Sequence, residues 1–263
     1  KKLELSKQDH FILKKYCDQL KINFFSTPYD IESAKFLNND IKVSLFKTAS
    51  ADIVDEPLHQ YIASTKKLCI VSVGMASLGE IEKIYKLYEK DKLILLHCVS
   101  NYPCTDKSLN LKVIKSLRSS FRIPVGLSDH SKGNIASISA VTLGAKVIEK
   151  HFTLDKSIEG PDQQTSTSPT EFKDLVQSIK RLENMLGNHT KEIQEEEKEM
   201  ARISRKSIHI GRAIMKNEKI LKNDIILKRP GDGLYYSQAK YIIGRKASRD
   251  LPKDHKINFG DIN

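Results

Sequence analysis

The chain has 263 residues, of which 39% are apolar and 29% charged. This composition is typical of a globular protein with one large domain or a large and a small one, and no apolar run approaches the roughly 18 residues of a membrane helix. The formal net charge of +11 suits nucleic acid, but no arginine-rich helix, zinc finger or aromatic RNA-binding pattern accompanies it, so we expect an anionic small substrate and neither a nucleic-acid nor a membrane partner.

Four cysteines are present without a CxxC pair, and the first residues contain no apolar leader. Reduced thiols and the lack of a signal sequence are typical of cytoplasmic proteins, so we expect a cytoplasmic location.

The sequence predicts a helix over residues 8–20 and then short apolar strands that alternate with helices. This alternation is typical of a parallel sheet. The predicted strands are residues 22–27, 44–50, 68–73, 93–99, 124–130 and 146–153. The predicted helices between and after them include residues 30–39, 80–90, 109–121 and 168–186. Ser168 is the predicted N-cap of the last helix, ahead of Pro169.

A parallel sheet of this kind is either an open doubly wound sheet or a barrel. No glycine-rich phosphate loop follows any predicted strand, which counts against a dinucleotide-binding fold. A (β/α)₈ barrel takes roughly 250 residues, whereas the alternation ends near residue 187, about two βα units short. We therefore predict an α/β fold in which residues 1–187 form a (β/α)₈ TIM barrel that lacks its first two strands in this chain.

Polar residues lie at the end of nearly every predicted strand, and a barrel carries its chemistry at these carboxyl ends. Glu149 and His151 share one face of a strand. His130 ends the preceding strand, so two imidazoles can share a divalent metal. Lys47 is placed to bind a phosphate or a carboxylate. A satisfied polar pair, a solvated lysine and turn-capping hydroxyls remain the structural alternatives for these residues.

The composition changes after residue 187. Residues 188–203 are polar and charged and are predicted to be a linker. Within residues 204–263 the segments 213–225 and 250–262 match at a constant offset of 37 residues, which predicts a small β-rich domain with an internal repeat. Between the two copies, KRPGDG is predicted to be a turn that exposes Arg229, with an ordinary surface loop as the alternative.

The motifs LLHCVSNYP, GLSDHS, IEKHFTLDKSIEGPD and KRPGDG resemble the sialic acid synthase family, which includes the legionaminate and pseudaminate synthases. STPYD, FKTASADI and VGMASLGEI resemble it as well, in the same order. The resemblance implies a (β/α)₈ barrel joined to a C-terminal antifreeze-like (SAF) domain. It also implies condensation of phosphoenolpyruvate with an open-chain N-acylamino sugar, N-acetylmannosamine or a relative, to give a sialic-type acid and phosphate.

The resemblance implies roles for particular residues. The implied metal ligands are His130 and His151, with Mn²⁺ as the expected ion and Mg²⁺ or Co²⁺ as alternatives. The implied phosphoenolpyruvate-binding residues are Thr27, Lys47, Ser50, Ser100 and Ser128. The implied sugar-binding residues are Tyr102, Glu149, Asp162 and Arg229. Glu149 is also the expected proton-transfer group, beside the two histidines, and Arg229 is expected to reach the partner's barrel in a domain-swapped homodimer.

Two departures from the family pattern bear on activity. The family's opening AEIG…NH and KFQ strands have no counterpart here, and VSVGM replaces LSTGM, which removes a hydroxyl at Val73. Two other functions stay open at this point. One is a barrel aldolase or lyase that uses Lys47 as a Schiff base, and the other is an inactive protein that binds anions or nucleic acid.

Overall fold

The computed structural model describes residues 4–263. The chain divides into two compact units, residues 1–187 and residues 188–263. No helix within the described part of the chain is both long and apolar enough to cross a membrane.

The first unit alternates helices with short strands. Its helices are α1 (Lys7–Gln19), α2 (Ile31–Asn39), α3 (Glu56–Ser64), α4 (Leu78–Tyr85), α5 (Asp106–Leu109), α6 (Val113–Phe121), α7 (Ile135–Thr142) and α8 (Pro169–Leu186). Its strands are β1 (Leu45–Thr48), β2 (Leu68–Ser72), β3 (Leu93–Cys98), β4 (Val125–Asp129) and β5 (Ile148–Lys150). Short 3₁₀ turns occur at Ser50–Val54 and Lys90–Lys92.

The five strands form one parallel, curled, half-barrel sheet in the order β1-β2-β3-β4-β5. Alternate residues face opposite sides of the sheet. Phe46, Leu95 and Leu127 point outward into the core that the helices cover. The other face carries Lys47 and Ser72, so the polar strand ends lie on the concave side.

Most predicted elements of the first unit are confirmed, but the strand over residues 22–27 is wrong. Among the described residues, no backbone hydrogen bond joins residues 23–27 to β1. A short apolar run gives a segment only the capacity to pair, and a strand also needs a neighbour that accepts its backbone hydrogen bonds. The described sheet therefore has five parallel strands, and the eight-stranded barrel with two absent strands stays a prediction.

The α8 helix begins as predicted. Ser168 Oγ accepts a hydrogen bond from the Glu171 backbone N–H, and the Glu171 carboxylate accepts one from the Ser168 N–H. This reciprocal pair satisfies two backbone donors that a helix start leaves free.

The second unit contains α9 (Lys198–Ser204) and an antiparallel pair, β6 (Ser207–Ile210) with β7 (Ile225–Lys228). Its 3₁₀ turns are Glu195–Glu197, Lys222–Asp224, Tyr236–Tyr241 and Phe259–Asp261. Because α9 and the first of these turns fall largely within residues 188–203, the predicted linker is partly helical. Acidic residues lie at the N-terminal end of that turn and helix. Their negative charge interacts favourably with the helix dipole, which stabilises a helix in so polar a segment.

The predicted repeat has a structural counterpart in the second unit. Ile214 and Leu251, equivalent at the offset of 37, pair with each other in an antiparallel bridge. Two further equivalent pairs form the same ion pair, Arg212 with Asp224 and Arg249 with Asp261, at 2.7 Å in each case. The two copies therefore build one core between them, as the repeat predicts.

Candidate active site

Lys47 is the centre of charge on the concave face of the sheet. Its side chain projects from β1, and only 6% of the residue is exposed. The ammonium donates hydrogen bonds to Ser72 Oγ at 2.8 Å and to the Thr48 carbonyl at 2.7 Å, and it lies 3.5 Å from Glu149 Oε2. This buried ammonium has three oxygen neighbours. An anionic ligand that replaced some of them would accept charge-assisted hydrogen bonds from Lys47.

Two further hydroxyl groups converge on Gly74, two residues after Ser72. Ser50 Oγ accepts a hydrogen bond from the Gly74 N–H at 2.9 Å. A Cβ at Gly74 would lie 2.5 Å from Ser100 Oγ and 2.8 Å from Ser50 Oγ. Any side chain at this position would therefore force at least one of the two hydroxyls to move.

Glu149 crosses from β5 toward β4 and accepts a hydrogen bond from Ser128 Oγ at 2.6 Å. Ser128 and Glu149 are register partners in the parallel pair. Glu149 thus bridges Ser128 and Lys47, and it is the one carboxylate within 4 Å of Lys47 Nζ among residues 4–263. This position suits a group that moves a proton next to a bound anion.

The two predicted imidazoles are neighbours. The ring centres of His130 and His151 lie 5.2 Å apart, and the Tyr102 ring packs 4.1 Å from His130 and 5.2 Å from His151. Asp162 Oδ2 approaches His151 Nδ1 at 3.6 Å. Four residues that the resemblance implies for metal and sugar thus form one cluster.

The environments of the two histidines differ. Burial alone would lower the pKa of His130, but hydrogen bonds with the Cys98 thiol and the Val99 carbonyl and the charge of Glu149 raise it overall. Burial, then the charge of His130, lower the pKa of His151. The 2.9 Å contact of His130 Nδ1 with the Val99 carbonyl assigns the proton to Nδ1, which leaves Nε2 as the lone-pair atom.

The two imidazoles are the candidate ligands for a divalent cation. No group of three or more His, Cys, Asp or Glu side chains within residues 4–263 is arranged to hold a metal. Two neighbouring imidazoles, one with its second nitrogen bonded to a carbonyl, nevertheless fit an ion that takes its other ligands from water and substrate. The identity of the ion stays a prediction.

Two predicted site residues do not join the cluster. Thr27 lies on the unpaired segment after α1 and lines a separate cavity of about 720 Å³ with residues of α2. Arg229 lies in the second unit and is exposed on the surface of that unit. Their predicted roles remain untested.

Two residues of the cluster were missing from the predicted set. Ser72 accepts the Lys47 hydrogen bond, and its position at a strand end was a usable signal. Cys98 Sγ lies 3.7 Å from His130 Nδ1 and 3.9 Å from Ser100 Oγ. Burial would raise the pKa of the Cys98 thiol, but its hydrogen bond with His130 lowers it overall. A cysteine in an apolar strand is typical of a core residue, so its sequence context does not single out Cys98.

A cavity of about 990 Å³ lies elsewhere. Its lining comes from residues 103–107, 109–112, 131–132 and 135–136, and none of the predicted site residues line it. We assign the chemistry to the strand-end cluster, because that cluster holds the buried charges and the imidazoles.

Comparison with known proteins decides the family. The NeuB family model matches residues 1–191, and the SAF domain model matches residues 205–262. The chain belongs to the NeuB family. The predicted family resemblance, with its C-terminal SAF domain, is thereby confirmed.

Three relatives illustrate the match of this NeuB-family protein. It is 41% identical to N,N'-diacetyllegionaminic acid synthase of Legionella pneumophila over 95% of this chain and 72% of the relative. It is 37% identical to pseudaminic acid synthase of Campylobacter jejuni over 90% of this chain and 70% of the relative. The solved structure of N-acetylneuraminic acid (sialic acid) synthetase from Leptospira borgpetersenii in complex with citrate gives a TM-score of 0.71 at 38% identity, over 75% of this chain and 70% of that one.

Proposed function

We propose that the protein is a nonulosonic acid synthase that condenses phosphoenolpyruvate with an open-chain N-acylamino sugar. Carbon 3 of the enol forms a bond to the aldehyde carbon, and the aldehyde oxygen takes up a proton. Water then adds at carbon 2, and phosphate leaves as its C–O bond breaks. The observation that carries this proposal is the meeting of a buried lysine, clustered hydroxyls, a carboxylate and two imidazoles at the strand ends.

The anion half of the site supports phosphoenolpyruvate as one substrate. Lys47, Ser50, Ser100 and Ser128 are the proposed phosphate and carboxylate ligands, and Ser72 joins them because it shares a hydrogen bond with Lys47. A buried cation with several hydroxyl donors binds a trianionic ligand by charge-assisted hydrogen bonds. Thr27 is a further proposed ligand on the resemblance alone.

The aldehyde half of the site is the imidazole cluster. His130 and His151 are the residues that would hold a divalent ion, with Mn²⁺ as the first candidate and Mg²⁺ or Co²⁺ as alternatives. A bound divalent ion polarises a carbonyl oxygen as a Lewis acid. Tyr102 and Asp162 surround the two rings and are the proposed sugar contacts.

Glu149 is the proposed proton-transfer group. It is half-buried and lies 3.5 Å from Lys47 and 2.6 Å from Ser128, between the anion half and the imidazole half. A carboxylate in that position can take a proton from the attacking water or return one to the new alkoxide.

Subunit arrangement and location belong to the same proposal. The resemblance supports a domain-swapped homodimer in which Arg229 of one subunit contacts the sugar's acyl group in the barrel of its partner. The four cysteines form no disulfide, which is in keeping with a cytoplasmic enzyme.

The test is phosphate release from phosphoenolpyruvate with Mn²⁺ and a panel of acylamino sugars, including N-acetylmannosamine and the di-acylamino precursors of legionaminic and pseudaminic acids. We expect sugar-dependent release by the full-length protein and none by His130→Ala. Full activity of His130→Ala, or full activity in excess EDTA, would contradict the assigned metal site. Release without any sugar would contradict the condensation.

A further inference from the structure

Behind the active-site face, the same two strands carry a buried ion pair. Asp129 lies between Ser128 and His130 on the chain, and Lys150 lies between Glu149 and His151. Because strand residues alternate in direction, these two side chains point to the outer face of the sheet. They are direct register partners in the β4–β5 pair.

The pair is closely surrounded by hydrogen bonds. Asp129 Oδ2 accepts from Lys150 Nζ at 3.0 Å and from Ser137 Oγ at 2.5 Å. Asp129 Oδ1 accepts from the Ser131 N–H at 2.8 Å and from Ser131 Oγ at 2.7 Å. Lys150 Nζ also donates to the Ser131 carbonyl at 3.1 Å. The Lys150 and Asp129 side chains are 5% and 0% exposed.

β5 is short. It has three residues, which pair in register with Leu127 to Asp129 of β4. A slip of one residue would turn every side chain of the strand to the other face. Lys150 would then enter the active site, and Glu149 and His151 would leave it. Such a slip would also leave the Asp129 carboxylate buried without its cation, which is strongly unfavourable.

We propose that the Asp129–Lys150 ion pair is a positioning pair that fixes β5 in register with β4 and thereby sets the separation of His130 and His151 needed to bind a divalent cation. This inference rests on the metal site of the proposed function. Neither residue faces the reacting groups, so both act through the backbone of the strands that carry the histidines.

The test measures binding of Mn²⁺ alone to the metal-free, full-length protein, from the electron paramagnetic resonance signal of the free ion. Asp129→Asn and Lys150→Met should each weaken Mn²⁺ binding by about tenfold or more, the size seen for groups that orient metal ligands indirectly. The double variant Asp129→Asn/Lys150→Met removes both buried charges. Its thermal unfolding midpoint should therefore be higher than those of the single variants and close to that of the wild type. Its Mn²⁺ binding should remain weak, because the neutral pair no longer fixes the register.

Ile84→Ala is the matched control for lost stability. Ile84 is buried in the same core on α4, away from β4 and β5, so this variant should lower the unfolding midpoint and leave Mn²⁺ binding unchanged. Wild-type affinity in both single variants, or in the double variant, would overturn the positioning role while the metal site stands. Wild-type protein that binds no Mn²⁺, or binding that survives in His130→Ala, would overturn the metal site and this inference together.

Discussion

At the scale of single residues, Lys47 separates the proposed synthase from an aldolase that forms a Schiff base. Lys47→Ala should raise the KM for phosphoenolpyruvate roughly 10- to 100-fold, because hydrogen bonds to a charged group contribute about 1.5–3 kcal/mol. Steady-state kinetics with varied phosphoenolpyruvate at saturating sugar measures this effect. Borohydride treatment in the presence of pyruvate should yield no adduct on Lys47, and a trapped imine there would support the aldolase instead.

Gly74 offers a residue-scale test of the serine cluster. Gly74→Ala should raise the KM for phosphoenolpyruvate by about tenfold, since the new methyl group would displace Ser50 or Ser100 from its position. Gly79→Ala is the matched control, because a Cβ there would meet no atom within 4 Å. Its KM should match that of the wild type. Equal kinetics for the two variants would show that the hydroxyl positions do not matter for binding.

At the scale of elements, a buried histidine joins helix α3 to the segment that follows α4. His59 is 0% exposed, and its Nδ1 lies 2.9 Å from the Tyr88 hydroxyl. Burial lowers the pKa of His59 from 6.5 to about 4. The unfolded chain therefore binds a proton at a higher pH than the folded one, so the stabilisation is complete above about pH 6.5 and is lost as the pH falls toward 4.

The free energy of unfolding, measured in urea, should consequently decrease by about 2 kcal/mol between pH 7 and pH 5 on account of His59. His59→Gln keeps a polar group but cannot titrate. The unfolding free energy of this variant should therefore fall less between pH 7 and pH 5 than that of the wild type. The other titrating groups, including His130 and His151, contribute equally to both proteins and cancel in the difference. Identical slopes for the two proteins would rule out His59 as the source.

The sequence predicts an element when the burial of that element leaves a recognisable pattern of apolar residues. Apolar runs between helices predicted five of the strands, because a strand buried on both faces needs a continuous apolar sequence. The apolar run at residues 22–27 also predicted a strand, but no described neighbouring strand forms backbone hydrogen bonds with it. Helix α9 falls largely in the predicted linker, because residues 188–203 are mostly polar and charged and such a composition does not by itself indicate a helix.

The active-site cluster was predictable to the extent that it follows from alternation along strands. Glu149 and His151 are two residues apart, which predicted that they share one face of a strand. His130 ends the preceding strand, which predicted that it lies beside His151, as the structure shows. Side-chain contacts between neighbouring strands depend on the register of the strands, which cannot be derived from the sequence alone. The hydrogen bond from Lys47 to Ser72 and the pairing of Asp129 with Lys150 are both register-dependent, and neither was predicted.

At the scale of the whole molecule, the second unit has its own core and its own internal symmetry. Its charge is strongly positive in sequence, yet many of its cations are paired with acids, as Arg212 and Arg249 are. Arg229 is exposed like these two residues, but no salt bridge to it is found in the described part of the chain, as is also the case for Arg245. Its planar guanidinium suits hydrogen bonding to an acyl oxygen better than a lysine would.

The proposed domain-swapped homodimer can be distinguished by experiment from an arrangement in which Arg229 acts within its own subunit. Arg229→Ala should weaken sugar binding and leave phosphoenolpyruvate binding nearly unchanged, as judged by the two KM values. The decisive measurement uses a mixed dimer in which one subunit carries only Arg229→Ala and the other only His151→Ala. If Arg229 acts across the interface, both lesions fall in one site, and about half of the wild-type activity per dimer remains because the other site is intact. If Arg229 acts within its own subunit, each site carries one lesion, and activity close to zero would contradict the swapped arrangement.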